Sequence, residues 1–302
     1  FGFLLVNEKG YAVLERLVDC YRENIAFVSS YSEMKVAENY FEVITQACSK
    51  NNLDFIEKKN LTTFLDHNTA EISGVFTVGW QFLLPQELDQ KLEYGIHVFH
   101  DSLLPKYRGF APTPSAIING EKEIGVTLLR IGKSIDDGPI FGQKKFDLNS
   151  DDYVKDAIRK LTCGYIRLIE DFLAMISSEK PIIYTEQDES KATYSIWRDE
   201  KDYEISWDRT AEEIRNLIRA TGSPYMGACS YLNGQKLRIH KADVQNDIKF
   251  EIRNSGKVWK IINENTADVV CGQGILRVTE VFYDISNEKF NFTKIRSRFT
   301  NN

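Results

Sequence analysis

Apolar positions along this chain change period repeatedly over its first 180 or so residues, and each change marks a new element. Gly2–Val6 is a short unbroken apolar run, the length and character of a buried strand. Between Tyr11 and Tyr21 the apolar residues fall at Val13, Leu14, Leu17 and Val18, three and four apart, which predicts a helix with one apolar face. Ile25–Val28 is the next strand. Val36–Cys48 is amphipathic again, and Asp54–Ile56 and Ile72–Val78 are strand-like. Tyr94–His100 reads as a further strand, and Ile124–Ile131 alternates well enough for another. Thr113-Pro114 opens a short helix through Asn119, since proline suits a first helical position. Ser150–Ile176 is a long amphipathic helix with Ser150 or Asp151 as its cap. Strands alternating with helices predict an α/β fold with a mainly parallel, Rossmann-like sheet. Asn7-Glu8-Lys9-Gly10 follows the first strand where a dinucleotide site needs Gly-x-Gly-x-x-Gly, which argues against a nicotinamide cofactor.

The pattern changes beyond residue 177. Ser177–Glu204 is polar, carries Pro181 and many charges, and reads as a linker. Asp208–Ala220 is helical. From Met226 several short strands follow, with a turn at Asn233-Gly234. Five or so such strands predict a small, barrel-like, β-rich unit. The division expected is therefore 1–200 for the α/β domain with its linker and 201–302 for the smaller domain, and 302 residues suffice for two cores.

Composition adds exclusions. At 42% hydrophobic and 27% charged the chain reads as a soluble globular protein. No apolar run approaches the ~20 residues that span a bilayer, so no membrane partner is expected. Phe1–Val6 reads as a strand and not as a signal peptide, which points to the cytoplasm. Cys20, Cys48, Cys163, Cys229 and Cys271 are scattered and read as reduced thiols. His67, His97, His100 and His240 show no metal-ligand spacing, so no metal is expected. Residues 1–200 carry 22 Lys+Arg against 31 Asp+Glu, and residues 201–302 carry 16 against 13. That balance is poor for a backbone-binding nucleic-acid partner.

The chemistry concentrates in two runs. His100-Asp-Ser-Leu-Leu-Pro-Lys-Tyr-Arg-Gly109 packs a histidine, a hydroxyl and two cations around a proline turn. Ser134-Ile135-Asp136-Asp137-Gly138 adds a carboxylate pair before a glycine. A histidine at the carboxyl end of a parallel strand lies at the ligand crevice of such a sheet. It suits proton transfer near neutrality, and a carboxylate beside it fixes the ring tautomer. His100 and Asp136 are the candidate catalytic pair. Lys106 and Arg108 are read as contacts to an anionic substrate, or else as an ordinary solvated pair or as a loop lock in which Arg108 donates to carbonyls.

These runs resemble the formyltransferase family that uses 10-formyltetrahydrofolate. His-x-Ser-Leu-Leu-Pro-x-Tyr-Arg-Gly is complete from His100 to Gly109, Gly125-Val126-Thr127 supplies the middle element, and Asp136-Asp137-Gly138 the last. The family has asparagine two residues before the histidine, where this chain has Val98. The resemblance implies a Rossmann-like catalytic domain followed by a smaller domain, and a loop lining the pterin pocket at Gln81, Phe82, Leu83, Leu84 and Pro85, with Ile135 and Asp137 also on the folate. Ser102, Lys106, Tyr107, Arg108 and Gly109 are then expected at the substrate. 10-Formyltetrahydrofolate is the implied co-substrate. The acidic balance and the absence of Gly-Thr-Pro-x-Phe-Ala after the first strand favour a nucleotide-linked amino sugar as acceptor, destined for lipopolysaccharide. A methionyl-tRNA acceptor, and a non-catalytic homologue that still binds folate or a sugar nucleotide, are the alternatives. A homodimer is left open.

Overall fold

The computed structural model describes residues 1–33 and 39–301. Its elements follow in chain order: β1 (Gly2–Leu5), α1 (Asn7–Cys20), β2 (Phe27–Ser30), α2 (Phe41–Lys50), β3 (Phe55–Glu57), α3 (Lys58–Asn68), β4 (Gly74–Val78), α4 (Gln86–Lys91), β5 (Gly95–His100), β6 (Arg108–Gly109), α5 (Pro112–Ile118), β7 (Glu123–Arg130), β8 (Ile140–Asp147), α6 (Val154–Ser177), β9 (Tyr194–Ser195), α7 (Ala211–Thr221), β10 (Ala228–Leu232), β11 (Gln235–Gln245), β12 (Val258–Asn263), β13 (Thr266–Val270), β14 (Ile275–Tyr283) and β15 (Phe299–Thr300). The amphipathic segment expected from Val36 begins outside the described residues; its described part is α2.

Two compact units form. The first comprises residues 1–112, 123–148 and 157–195. Its seven-stranded sheet has the order β3-β2-β1-β4-β5-β7-β8. The first five strands in that order run parallel, and β1, β2 and β4 are buried along their whole length, as inner strands covered on both faces are. β7 and β8 are antiparallel additions. Phe3, Leu4, Val75, Phe76 and Ile96 are fully buried in the sheet, and α1 and α6 bury Leu14, Leu17, Leu168 and Phe172. The sheet is thus mostly parallel and Rossmann-like, as expected. β8, which no sequence reading marked, closes its edge by pairing with β7.

The second unit comprises residues 113–122, 149–156 and 196–302. Its six-stranded antiparallel sheet has the order β12-β13-β14-β11-β10-β15. The two edges meet where Val258 donates to the Ser297 carbonyl at 3.1 Å and Phe299 to the Gly256 carbonyl at 2.8 Å, which gives the barrel-like closure. α7 is capped by Thr210, whose hydroxyl accepts from the Glu213 amide while the Glu213 side chain reaches back to the Thr210 amide. The long helix starts at Val154, later than expected. The expected caps turn elsewhere: Asp151 pairs with Arg215 at 2.9 Å, and the Tyr153 amide donates to the Asp156 carboxylate at 3.0 Å.

Candidate active site

β1, β2, β4 and β5 all run the same way, so their carboxyl ends deliver Asn7 to Lys9, Tyr31 to Glu33, Gly79 to Phe82, and His100 with Asp101 to one end of the sheet. That is where a ligand crevice lies in an open parallel sheet.

His100 ends β5 and is 7% exposed. Its Nδ1 stands 3.4 Å from Asp136 Oδ2. Its Nε2 stands 2.7 Å from the Tyr107 carbonyl, which can only accept, so Nε2 carries a proton and donates. Both nitrogens of the ring therefore face acceptors. Asp136 adopts a left-handed backbone (φ +55°), a conformation aspartate tolerates better than most residues. That turn lets its Oδ2 also accept the Gly109 amide at 2.8 Å. The two sequence runs, far apart in the chain, thus close on one carboxylate oxygen.

The middle element explains itself through packing. A Cβ on Gly125 would fall 2.6 Å from Leu103 Cγ, so only glycine lets the His100 loop settle on β7. Two residues on, the Thr127 hydroxyl donates to the Ser102 carbonyl at 2.6 Å and accepts from the Leu104 amide at 3.2 Å. Ser102 itself is buried and donates to the Lys106 carbonyl at 2.6 Å. Gly109 has φ +95°, and a Cβ there would meet the Ser195 carbonyl oxygen at 2.6 Å.

Arg108 is 1% exposed and takes the loop-locking role, through side chains more than carbonyls. Its guanidinium donates to Gln187 Oε1 at 3.2 and 2.9 Å and to both carboxylate oxygens of Glu189 at 2.9 and 2.6 Å. Gln187 then donates to the Asp136 and Gly138 carbonyls at 2.8 and 2.7 Å. One amide side chain ties Arg108 to the Asp136 turn. The segment read as a linker therefore is no free tether up to Ser195: Thr185 pairs with Ile140, and β9 pairs with β6. Its polarity, which suggested solvent, serves these partly buried hydrogen bonds. Lys106 is exposed.

The loop expected to line a pterin pocket follows β4. Gln81, Phe82, Leu83 and Pro85 are exposed and Leu84 is half-buried. Phe82 meets Tyr31 and Trp80 edge-on, with ring centroids 5.0 and 6.0 Å apart, and the Lys58 ammonium lies 3.1 Å from the Phe82 ring centre. Gln81 donates to Glu33 at 3.3 Å. Burial, partly opposed by the charge of Lys9, pushes the Glu33 carboxyl up from its ordinary range. Trp80 Nε1 and Ser30 Oγ are buried without a hydrogen-bond partner among the described residues. An aromatic cluster with unsatisfied polar atoms fits a flat, polar-edged heterocycle. Ile135 is half exposed, and Asp137 is spent on its own turn, accepting the Ser134 amide at 3.0 Å. Val98 is half-buried, paired in register with Thr77 and Leu129. No group of three or more His, Cys, Asp or Glu side chains suited to a metal occurs among the described residues.

Sequence reasoning missed Gln187, Gln143 and the pair Lys9–Tyr165. Gln143 lies on β8 and donates to Thr127 Oγ1 and the Leu104 carbonyl at 2.8 and 2.9 Å. Nothing in the sequence sets either glutamine apart from its neighbours. Lys9 and Tyr165 both contact Asp101, directly after the histidine, and only the strand order brings Lys9 to it.

Comparison with known proteins bears on the family and the fold. The family description "Formyl transferase" matches residues 23–163, and "Formyl transferase, C-terminal domain" matches residues 198–285. Among solved structures, WlaRD, a sugar 3N-formyl transferase crystallised with dTDP and 5-N-formyl-THF, is similar at TM-score 0.67 and 18% identity, covering 97% of each chain. An N-formyltransferase from Helicobacter canadensis, in complex with folinic acid and dTDP-3-aminofucose, is similar at TM-score 0.70 and 19% identity, over 93% of this chain and 98% of that one. A methionyl-tRNA formyltransferase from Clostridium thermocellum is similar at TM-score 0.59 and 19% identity, over 90% and 98%. Identities this low speak to the shared fold.

Proposed function

We propose, on the premise that this chain belongs to the formyl transferase family, that it moves a formyl group from 10-formyltetrahydrofolate to the amino group of a nucleotide-linked amino sugar. The observation that carries the reading is the His100–Asp136 pair at the carboxyl end of the sheet, beside an aromatic cluster suited to a pterin. The acceptor class rests on the acidic balance of residues 1–200, which suits a small substrate better than tRNA, and on the sugar substrates of the similar structures.

The reaction needs little machinery. The neutral amine attacks the formyl carbon, the bond from that carbon to N10 breaks, and one proton passes from the amine to N10. His100 is the group placed to carry that proton, and Asp136 orients its ring and balances its charge while it does so. Substrate must take the place of the Tyr107 carbonyl at Nε2 or approach on the Nδ1 side. Phe82, Trp80 and Leu84 would hold the pterin, and Gln81 its polar edge. The deciding assay combines the full-length protein, 10-formyltetrahydrofolate and a panel of dTDP-, UDP- and GDP-linked amino sugars, read by mass spectrometry for the gain of one CO. Transfer to initiator methionyl-tRNA in the same assay, with no sugar modified, would replace this reading by the tRNA one.

Val98 makes a further prediction. Asparagine at this place would supply an oxyanion donor, but here the half-buried position lies between Thr77 and Leu129 in a continuous sheet. The rest of the motif is intact, which points to a formyl site rebuilt without that amide. Val98→Asn then buries a poorly satisfied polar group at a cost of about 1–3 kcal/mol. Denaturant unfolding is expected to show that loss, with kcat unchanged or lower. A clear gain in kcat at parental stability would show instead that Val98 costs the enzyme a donor.

A further inference from the structure

The proposed chemistry leaves one charged cluster at the crevice without a role. Lys9 follows β1, yet its ammonium pairs with Asp101, which follows β5; β4 lies between these strands, so Lys9 reaches across the carboxyl end of β4. Tyr165 on α6 donates its hydroxyl to the other oxygen of the Asp101 carboxylate, and that hydroxyl lies 3.5 Å from Lys9 Nζ. The Lys9 and Asp101 side chains are only 12% and 15% exposed. Burial drives the Asp101 carboxyl up, but the charge and hydrogen bond of Lys9, the bond from Tyr165 and the charge of His100 outweigh it and leave the group below its usual range. Burial, followed by the Asp101 carboxylate, pushes the Tyr165 hydroxyl far up, so it serves as a donor. A buried anion thus stands next in sequence to His100, held by one cation and one phenol.

Strand alternation separates the two carboxylates. Phe99 stacks on Tyr165 with ring centroids 4.5 Å apart, so the α6 side of β5 carries Phe99 and Asp101 while His100 points to the other side, toward Asp136. We propose that Lys9 is a positioning residue for His100: by binding and neutralising Asp101 it fixes the end of β5 and leaves the histidine under the influence of one carboxylate, Asp136, instead of two. The charged and titratable groups concerned are Asp136 and Asp101 around His100, and Asp101, Glu33 and Tyr165 around Lys9. The proposal rests on the reading of His100 as the proton carrier, and its test does not depend on turnover.

That test is an NMR titration of the His100 ring in the full-length protein, assigned against His100→Asn, beside kcat and KM as functions of pH. Lys9→Met leaves an unbalanced carboxylate near the imidazole and favours the protonated ring. The His100 titration midpoint is expected to rise by about one pH unit. In the transfer assay kcat falls about tenfold at neutral pH and recovers at higher pH, with KM little changed. Lys9→Arg keeps the parental midpoint, and Lys9→Met/Asp101→Asn returns to it. If Lys9→Met does not fold, Tyr165→Phe, which removes one hydrogen bond from the same carboxylate, carries the comparison with a smaller rise. An unmoved midpoint in Lys9→Met, or an equal rise in the double variant, overturns the proposal, and so does a loss of melting temperature with the titration unchanged. A parent protein that transfers no formyl group would sink the proposed function while the titration still decides the role of Lys9.

Discussion

His100→Asn is expected to lower kcat by about 10²–10⁴ while the protein stays folded. The imidazole ends a strand, and its ring bonds reach one carbonyl and one carboxylate at the crevice, with no part in the apolar core. Asparagine can still donate toward the Tyr107 carbonyl, so the loop keeps a partner, but no group remains that can take and return a proton near neutrality. Asp136→Asn is expected to remove most turnover as well. Its amide oxygen can still accept the Gly109 amide, which preserves the turn, but the charge that balances a protonated His100 is gone. The measurement is kcat and KM for each variant beside its melting curve. Both losses should fall on kcat. A kcat near the parental value in either variant would mean that the proton travels by another route.

The parts of this fold that could be read from the chain are those where one local rule suffices. Phe3 to Leu5 and Val75 to Val78 are strands because short runs so largely apolar are readily buried on both faces. Tyr11 to Tyr21 is a helix because its apolar residues recur at three and four. β8 escaped notice because Phe141 to Asp147 alternates between half-buried and exposed and carries two lysines, so its character comes from pairing with β7 and not from its own sequence. The site divides in the same way. His100 and Gly109 were readable from proton chemistry and loop punctuation, whereas Thr127 and the joining of Asp136 to His100 came from the family resemblance. Arg108 stayed open between two roles until the structure supplied Gln187 and Glu189, and those lie about 80 residues away in a segment whose polarity looked like that of a tether. Long-range hydrogen bonds leave no mark on local pattern. Lys9 is the sharpest case: it sits in a stretch noted only for lacking a glycine motif, and its partner Asp101 reveals it only once β1 and β5 are known to flank β4.

Gly138→Ala is expected to damage stability and activity together. The glycine closes the Asp136-Asp137-Gly138 turn against the end of β7. A Cβ there would overlap the Arg130 carbonyl oxygen and stand 2.8 Å from the Gly132 amide nitrogen and 2.9 Å from the Ile131 carbonyl carbon. These are backbone atoms, and no rotamer change moves them aside. Overpacking of this kind costs about 1–3 kcal/mol and at times more. The turn must lift, and the Gln187 bonds to the Asp136 and Gly138 carbonyls lift with it. Asp136 then leaves its place 3.4 Å from His100, so kcat should fall at least as far as in Asp136→Asn. Gly234→Ala provides the contrast. Gly234 has a left-handed backbone, φ +79°, and nothing lies within 4 Å of where its Cβ would be. That variant bears only the strain of a left-handed alanine, roughly 1–2 kcal/mol, and should keep the parental kcat. Melting curves and kcat for the two variants separate backbone strain from collision at the turn. If Gly138→Ala loses stability yet keeps kcat, the position of Asp136 is not what limits the reaction.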